Sequence, residues 1–408
     1  MKRDSDIIIV GGGLNGPALA LALADGGFTV TIIDALPARS RDQKGFDGRG
    51  YALALASQHL LAAIGVWPQV AENSQPINEV KITDGRAGEG PSGWMLHFES
   101  RELAEGPMGY MVEDRYLSRA LQGAVQKHPL ITQINSETVV DQQVGPASVT
   151  VTTASGKTLT GSILIGSDGR ASGTAKRAGI RRVGHDYGQT ALVCAIEHDL
   201  PHHGIAHQFF MPPGPLAILP LPGNRSSIVW SETTKEAARI NALPEDEYLD
   251  ILRPRFGSFL GQIRLAGTRF TYPLNLTLAE HFIAPRLALI GDAAHGVHPI
   301  AGQGLNLGLR DVGALAEVLI LARRRGEDIG APDVLERYQR WRQFDTTVMA
   351  LATDAFNKLF SNDNSLLRLG RDMGLGMVNA MPSLRKRFIR EAAGLSGDVP
   401  KLLQGRQI

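Results

Sequence analysis

The sequence predicts a mixed α/β (α+β) protein: a Rossmann-like dinucleotide-binding domain, interrupted by an inserted antiparallel sheet and closed by a C-terminal helical region. Three observations carry that expectation. The apolar run Asp6-Ile7-Ile8-Ile9-Val10 leads directly into the glycine pattern Gly11-x-Gly13-x-x-Gly16. Two later apolar runs end in a similar way, in Gly166-Ser167-Asp168-Gly169 and in Ile290-Gly291-Asp292. Between them, residues 186–275 alternate strand-like runs with Pro/Gly/Asn turns such as Met211-Pro212-Pro213-Gly214-Pro215. The expected boundaries are 1–75, 105–180 and 276–330 for the discontinuous dinucleotide-binding domain, 76–104 and 181–275 for the sheet domain, and 331–408 for the helical region.

The first element has a physical rationale at each position. A buried strand ends at Val10, the glycines turn the chain, and Ala18, Leu19, Leu21, Ala22 and Leu23 form a small-residue helix able to approach a sheet closely. A second strand, Thr29–Ile33, ends at Asp34, 18 residues after Gly16. This is the spacing of a dinucleotide fingerprint. Its first glycine permits the tight turn, its second admits pyrophosphate oxygens, and its third allows helix–strand contact. Asp34 is placed to accept hydrogen bonds from the adenosine ribose hydroxyls.

Further along, Arg49-Gly50-Tyr51-Ala52-Leu53 opens a segment read as helical through Leu60, Leu61 and Ile64 to Gly65. Strands are expected near Val80–Thr83 and Trp94–Phe98 in an otherwise turn-rich stretch, then a helix over Tyr116–Gln126 with Arg115 at its start, as a cofactor contact or a solvated charge. Val149–Thr153 and Thr158–Ile165 read as one β-hairpin. In the sheet domain, strands are expected at Thr190–Glu197, Ile205–Phe210, Leu216–Leu221, Ser226–Ser231 and Ile263–Leu274, with one helix, Pro244–Phe256. A wall of that kind between domains suits a substrate pocket.

The stretch from Gly291 to Asp311 gathers the motifs. A short strand, Arg286–Ile290, ends in Gly-Asp, and glycines at 296, 302, 304 and 308 with Pro299 bend the chain. Leu305, Leu309, Val312, Leu315, Ala316 and Leu319 then recur at helical spacing. A strand, a carboxylate, a glycine bend and a helix start suit a polar ligand met by backbone amides. Beyond it come a long helix over Pro332–Leu359 and an apolar stripe of Leu366, Leu369, Met373, Met377 and Met381. From Asp363 to Ile408 there are eight Lys/Arg against four Asp/Glu. That tail is read either as a helix packed on the body with a solvated basic face, or as a contact to an anionic membrane or a partner.

Composition sets limits. Over 408 residues, 43% are hydrophobic and 20% charged, with a formal net charge of +1. Such a chain has ample core and no global drive toward nucleic acid. One cysteine, Cys194 in the apolar run Ala191–Ile196, excludes an internal disulfide framework and reads as a buried, inert thiol. Apolar runs stay far short of the ~18–20 residues of a membrane span, and Ile7–Val10 meets glycines rather than a signal-peptide core. The expected location is cytoplasmic, with peripheral association at the inner face of the membrane as the alternative left by the tail. No metal site is expected.

The three motifs, the last running as Gly291-Asp292-Ala293-Ala294-His295 into His298-Pro299-x-x-Gly302-Gln303-Gly304-x-Asn306, resemble the FAD-dependent aromatic hydroxylases of the para-hydroxybenzoate hydroxylase fold group. His298 to Asp311, with Tyr272-Pro273-Leu274, Asp47-x-Arg49-x-x-Ala52-Leu53 and Gly394-Leu395-Ser396-Gly397, is similar to the ubiquinone-biosynthesis branch, whose members hydroxylate polyprenylated phenols. The likeness spans essentially the whole chain. It implies FAD as cofactor, NAD(P)H as reductant, O2 and a small aromatic, prenylated substrate, with hydroxylation through a flavin C4a-hydroperoxide.

The resemblance also implies roles. Gly11, Gly13 and Gly16, with Leu14 and Asn15 between them, hold the FAD pyrophosphate, and Asp34 holds the ribose. Arg49 and Arg115 lie near the pyrophosphate and ribityl region, and Asp168 serves both FAD and NAD(P)H. Gly291 and Asp292 bind a ribityl or pyrophosphate-side oxygen, Pro299 borders the isoalloxazine, and amides from Gly302 to Asn306, among them Gly304 and Leu305, face the ring's pyrimidine edge. Many relatives carry an arginine where this chain has Ala175, followed by Lys176 and Arg177. His295 and His298 sit in the loop, but neither is assigned a catalytic role, and no base is named. Two other readings stay open: the same chemistry on a soluble phenol, and a non-catalytic flavin-binding subunit of a biosynthetic complex. A tryptophan halogenase is disfavoured, because Trp341 lacks a Trp-x-Trp context.

Overall fold

The computed structural model describes residues 3–38, 49–86, 88, 90–103, 105–297, 302–360 and 381–408. Its helices are numbered in chain order: α1 (Asn15–Asp25), α2 (Leu55–Ala63), α3 (Asp114–Lys127), α4 (Gly173–Arg177), α5 (Thr234–Asn241), α6 (Glu245–Phe256), α7 (Gln303–Arg324), α8 (Pro332–Phe360) and α9 (Pro382–Ala392).

A six-stranded sheet organises the first unit, in the order Ile283–Ala284, Leu287–Leu289, Ile163–Gly166, Ile7–Val10, Val30–Asp34, Ile131–Asn135. Ile7–Val10 pairs in parallel on both sides, with Val10 opposite Gly166 and opposite Ile33. Leu287–Leu289 is parallel to Ile163–Gly166, with Leu289 opposite Gly166. Strands of a parallel sheet are covered on both faces, which is why these segments read as unbroken apolar runs. Ile7, Ile8, Ile9 and Ile163, Leu164, Ile165 are fully buried. The register has a direct consequence: three motifs spread over nearly 300 residues of sequence emerge at one edge of one sheet.

A nine-stranded sheet builds the second unit. Its backbone is the long strand Arg182–His198, antiparallel to Arg225–Thr233 on one side and to Phe270–Ala279 on the other. Helices α5 and α6 cover it over a core that includes Trp230, Tyr248 and Phe256. Cys194 lies in that core, its Sγ 3.6 Å from the Tyr248 hydroxyl, and burial pushes its thiol up to about 11. This is the inert thiol expected from its sequence context.

Several expectations are corrected. Gly50–Ala54 is a strand paired with Gly109–Glu113, and α2 starts only at Leu55. The expected hairpin ending at Ile165 breaks at Ser162, whose N–H bonds Asp6 O at 2.8 Å, so Ile163–Gly166 joins the parallel sheet instead. Ile263–Leu274 is two strands, Ile263–Leu265 and Phe270–Ala279. A second helix, α5, accompanies α6 in the sheet unit. The boundary placed at 275/276 falls inside the strand Phe270–Ala279, which pairs along its length with Arg182–His198. Described parts of the C-terminal segment pack on the first unit: Tyr338 in α8 donates to Leu289 O at 2.7 Å, and Leu402 and Leu403 enter the first core. His298 to Ala301, including Pro299, and the stripe from Leu366 to Met377 lie outside the described residues.

Candidate cofactor and active site

The glycine turn shows what each glycine is for. Gly11 has φ +113°, and a Cβ there would lie 2.2 Å from Ser167 O. A Cβ on Gly16 would lie 2.0 Å from Gly11 O. Both positions are closed by the protein's own backbone. Gly13 is different, since nothing stands within 4 Å of a Cβ there. Its lack of a side chain leaves clear space in front of α1. Leu14 precedes that helix without a side-chain cap, and its first turn carries no acidic residue. The exposed N–H groups and dipole of an uncapped helix start favour an anion.

Asp34 ends its strand 4% exposed, with its carboxylate 2.4 Å from where a Cβ on Gly12 would sit. Oδ1 accepts the Leu36 N–H at 3.2 Å. Asn15 is wedged between two later segments: its Nδ2 would be 2.3 Å from a Cβ at Gly291 and 2.3 Å from one at Gly308. Its Oδ1 is buried without a hydrogen-bond partner. A buried orphan acceptor is costly, about 1–3 kcal/mol, and this one stands at the helix start where a ligand would satisfy it.

Gly291, at φ +58°, turns the chain out of Leu287–Leu289, and its N–H donates to Asp311 Oδ2 at 2.9 Å. Asp292 then stands half-exposed, with Oδ2 3.2 Å from Arg170 Nε and its backbone oxygen taking Arg182 Nη2 at 2.9 Å. Gly302, at φ +64°, begins α7, also without a side-chain cap. Asn306 fixes that helix start: Oδ1 accepts from Ala54 N at 2.9 Å and Ser57 Oγ at 2.8 Å, while Nδ2 donates to Ala52 O at 2.9 Å and Gly302 O at 3.0 Å. Gly304 has open space where a Cβ would go, and Leu305 packs half-buried against the first core.

Three predicted residues are placed less directly. Asp168 directs its carboxylate into its own loop, accepting from Ser172 Oγ at 2.5 Å and from Thr174 N and Oγ1 at 2.9 Å each. Arg115 pairs with buried Glu113 at 2.7 Å, which also takes Arg225 at 2.8 Å. Arg49 lies 3.3 Å from Asp114, whose other oxygen accepts the Tyr51 hydroxyl at 2.9 Å. Burial first, then the Asp114 charge, raises the Tyr51 phenol far above its usual range, so it stays a donor.

A buried ionic cluster behind the Asp292 turn was not legible as such. Asp311 on α7, fully buried, accepts from Gly291 N, from His295 Nε2 at 2.6 Å and from Arg342 Nε at 2.8 Å. Burial alone would raise the Asp311 carboxyl, but the His295 and Arg342 charges and hydrogen bonds override it and hold it below the ordinary value. Arg342, also 0% exposed, reaches Asp345 at 3.1 Å and Thr346 at 3.2 Å. A carboxylate cannot donate, so His295 Nε2 carries the proton toward Asp311. The available signal was Asp311 set among the apolar positions of α7, and one of three arginines in α8.

An open glycine, uncapped helix starts, an orphan acceptor and a half-exposed carboxylate stand at one end of the sheet, and their chemistry fits FAD. The family and relatives of the chain make it a flavoprotein of the FAD-dependent monooxygenase class. It belongs to the family described as FAD binding domain, which matches residues 4–350. The ubiquinone hydroxylase UbiL of Rhodospirillum rubrum is 43% identical over 404 residues, 98% of this chain and 93% of the relative. The 3-demethoxyubiquinol 3-hydroxylase of Escherichia coli is 34% identical, covering 97% of this chain and 100% of the relative. The crystal structure of p-nitrophenol 4-monooxygenase PnpA from Pseudomonas putida DLL-E4 shares the fold, with TM-score 0.80 at 19% identity, over 98% of this chain and 100% of that one.

Proposed function

We propose that this chain is an NAD(P)H- and O2-dependent flavin monooxygenase that hydroxylates the ring of a polyprenylated phenol on the route to ubiquinone. One observation carries the substrate assignment: the near full-length likeness to UbiL, described as a ubiquinone hydroxylase. FAD, when bound, would supply the redox chemistry, by which two electrons from the nicotinamide and one O2 give a ring hydroxyl and one water.

The protein's part is to bind and orient. The clear space at Gly13 and the amides of α1 receive the pyrophosphate, and Asp34 accepts from the ribose hydroxyls. Asn15 Oδ1, which has no partner within the protein, and Asp292 would accept from the cofactor's hydroxyls. The N-terminus of α7, at Gly304, Leu305 and Asn306, stabilises negative charge on the ring edge. Arg49 and Arg115 add positive charge tempered by their carboxylate partners, and Asp168 acts at one remove by holding its loop. The nine-stranded sheet is the wall assigned to the substrate side.

Contact with an anionic membrane through the C-terminal region is part of the same proposal, since the prenyl tail of the substrate partitions into lipid. Lys386, Arg387 and Phe388 are consecutive exposed residues of α9. Arg385 and Arg390 of the same helix instead tie it to the body, through Glu102 and Glu105 at 2.8 Å each. No described helix is long and apolar enough to cross a membrane.

The test is NAD(P)H oxidation by the flavin-loaded protein with and without a prenylated phenol. Stimulated oxidation and a hydroxylated product support the assignment. A protein that responds to no phenol or quinol would have another activity.

A further inference from the structure

Next to the Asp292 turn lies a groove of about 430 Å3 that no step described so far uses. Four cations line it, Arg170, Lys176, Arg181 and Arg182, and no carboxylate does. Two of them have acidic partners at its margin: Arg170 with Asp292 at 3.2 Å, and Arg181 with Glu280 at 2.6 Å. The other two form no such ion pair among the described residues, although the Asp292 and Asp168 charges act on Arg182 from farther off. Arg182 gives Nη2 to the neutral oxygens of Thr277 Oγ1 and Asp292 O, both at 2.9 Å, while its Nη1 is buried with no hydrogen-bond partner. Lys176 is exposed and has no carboxylate partner among the described residues.

A buried guanidinium nitrogen without an acceptor is a standing cost, and it is most simply removed by an anion. Clustered cations beside a low-dielectric wall focus positive potential, and guanidinium forks match phosphate oxygens geometrically. The groove also carries the apolar side chain of Ile180, and its volume lies within the roughly 300–1,000 Å3 range of small-molecule sites. The groove shares Arg170 and Arg182 with the turn holding Asp292, so its occupant is a neighbour of the flavin cradle.

We propose that this groove binds a phosphate monoester, and that the ester is the adenosine 2′-phosphate distinguishing NADPH from NADH. The assignment rests on the nicotinamide-dependent reading above and adds to it a phosphate-reading site. Arg182 Nη1 and Lys176 supply the new contacts, and Arg181 contributes field from the rim.

The experiment has two arms. Calorimetry on the flavin-loaded protein compares 2′,5′-ADP, 5′-AMP and inorganic phosphate. The expected result is 2′,5′-ADP binding at least about tenfold tighter than either, with that preference lost in Lys176→Glu. Steady-state kinetics then compare nucleotides: Lys176→Glu raises the KM for NADPH about tenfold and that for NADH less than about twofold. Equal binding of 2′,5′-ADP and 5′-AMP, or equal movement of both KM values, overturns the proposal. Inorganic phosphate binding as tightly as 2′,5′-ADP would also overturn it, leaving a simple anion site. If neither nicotinamide is oxidised but the 2′,5′-ADP preference stands, the groove is retained and the monooxygenase reading fails.

Discussion

Asp311 and Arg342 meet at 2.8 Å with both side chains fully buried, and the same carboxylate holds the Gly291 N–H at 2.9 Å. One ion pair thus joins α7, α8 and the turn that presents Asp292. Removing one partner of a buried pair leaves an uncompensated charge, costing about 3–5 kcal/mol. Arg342→Met is therefore expected to destabilise the protein by that amount in urea unfolding and to lower flavin occupancy as well. Unchanged unfolding would mean that the pair contributes nothing to the turn.

The fingerprint glycines separate two roles that sequence alone merges. Gly16→Ala drives a Cβ into Gly11 O, a backbone clash expected to cost about 1–3 kcal/mol even without cofactor. Gly13→Ala meets open space, so the flavin-free protein should melt within about 1 kcal/mol of the parent while its FAD affinity falls. Thermal unfolding of flavin-stripped variants, paired with flavin titration, distinguishes them. Equal apoprotein melting with Gly16→Ala would contradict the packing argument.

How much of this was readable follows from how local each feature is. The glycine turn and both Gly-Asp strand ends are short-range devices, so residues 11–16 and 291–292 declare themselves. Their convergence follows from a parallel register that apolar runs foreshadow. Gly50–Ala54 misled because Tyr51, Ala52 and Leu53 blend into a helix-forming stretch, and only pairing with Gly109–Glu113 makes it a strand. Asp168 carries the right motif, yet its carboxylate serves Ser172 and Thr174, a distinction of side-chain geometry. Asp311 and Arg342 lie 31 positions apart on different helices, beyond any local pattern.

Stability should fall on mild acidification. Burial, then the nearby Lys81 charge, pushes His207 down to about 4 in the folded state, against an ordinary value of 6.5. The unfolded chain therefore takes up the proton first, and stability is lost as pH falls from about 6.5 toward 4. The loss is on the order of 3 kcal/mol once both values are passed. Asp311, held below its ordinary value, adds a further loss below about pH 4. Urea midpoints measured across this range should slope for the parent and flatten above about pH 4 in His207→Gln. An equal slope in the variant would place the titration elsewhere.

The exposed cluster on α9 gives a membrane prediction. Changing Lys386 and Arg387 to Glu removes two attractive charges, each worth about 1 kcal/mol at an anionic surface. Co-sedimentation with phosphatidylglycerol-containing vesicles should fall about tenfold or more, with folding and flavin content retained. Equal sedimentation of parent and variant would exclude this patch as the contact.

The central claim is that the cradle at Gly13, Asp34 and Asp292 serves oxygen insertion into a polyprenylated phenol. It is tested most directly by a turnover under isotopically labelled O2, with flavin-loaded protein, NADPH and the prenylated phenol, analysed by mass spectrometry. The account predicts one labelled oxygen atom on the ring and none taken from water. Unlabelled product, or NADPH consumed with no ring oxygen gained, would contradict it.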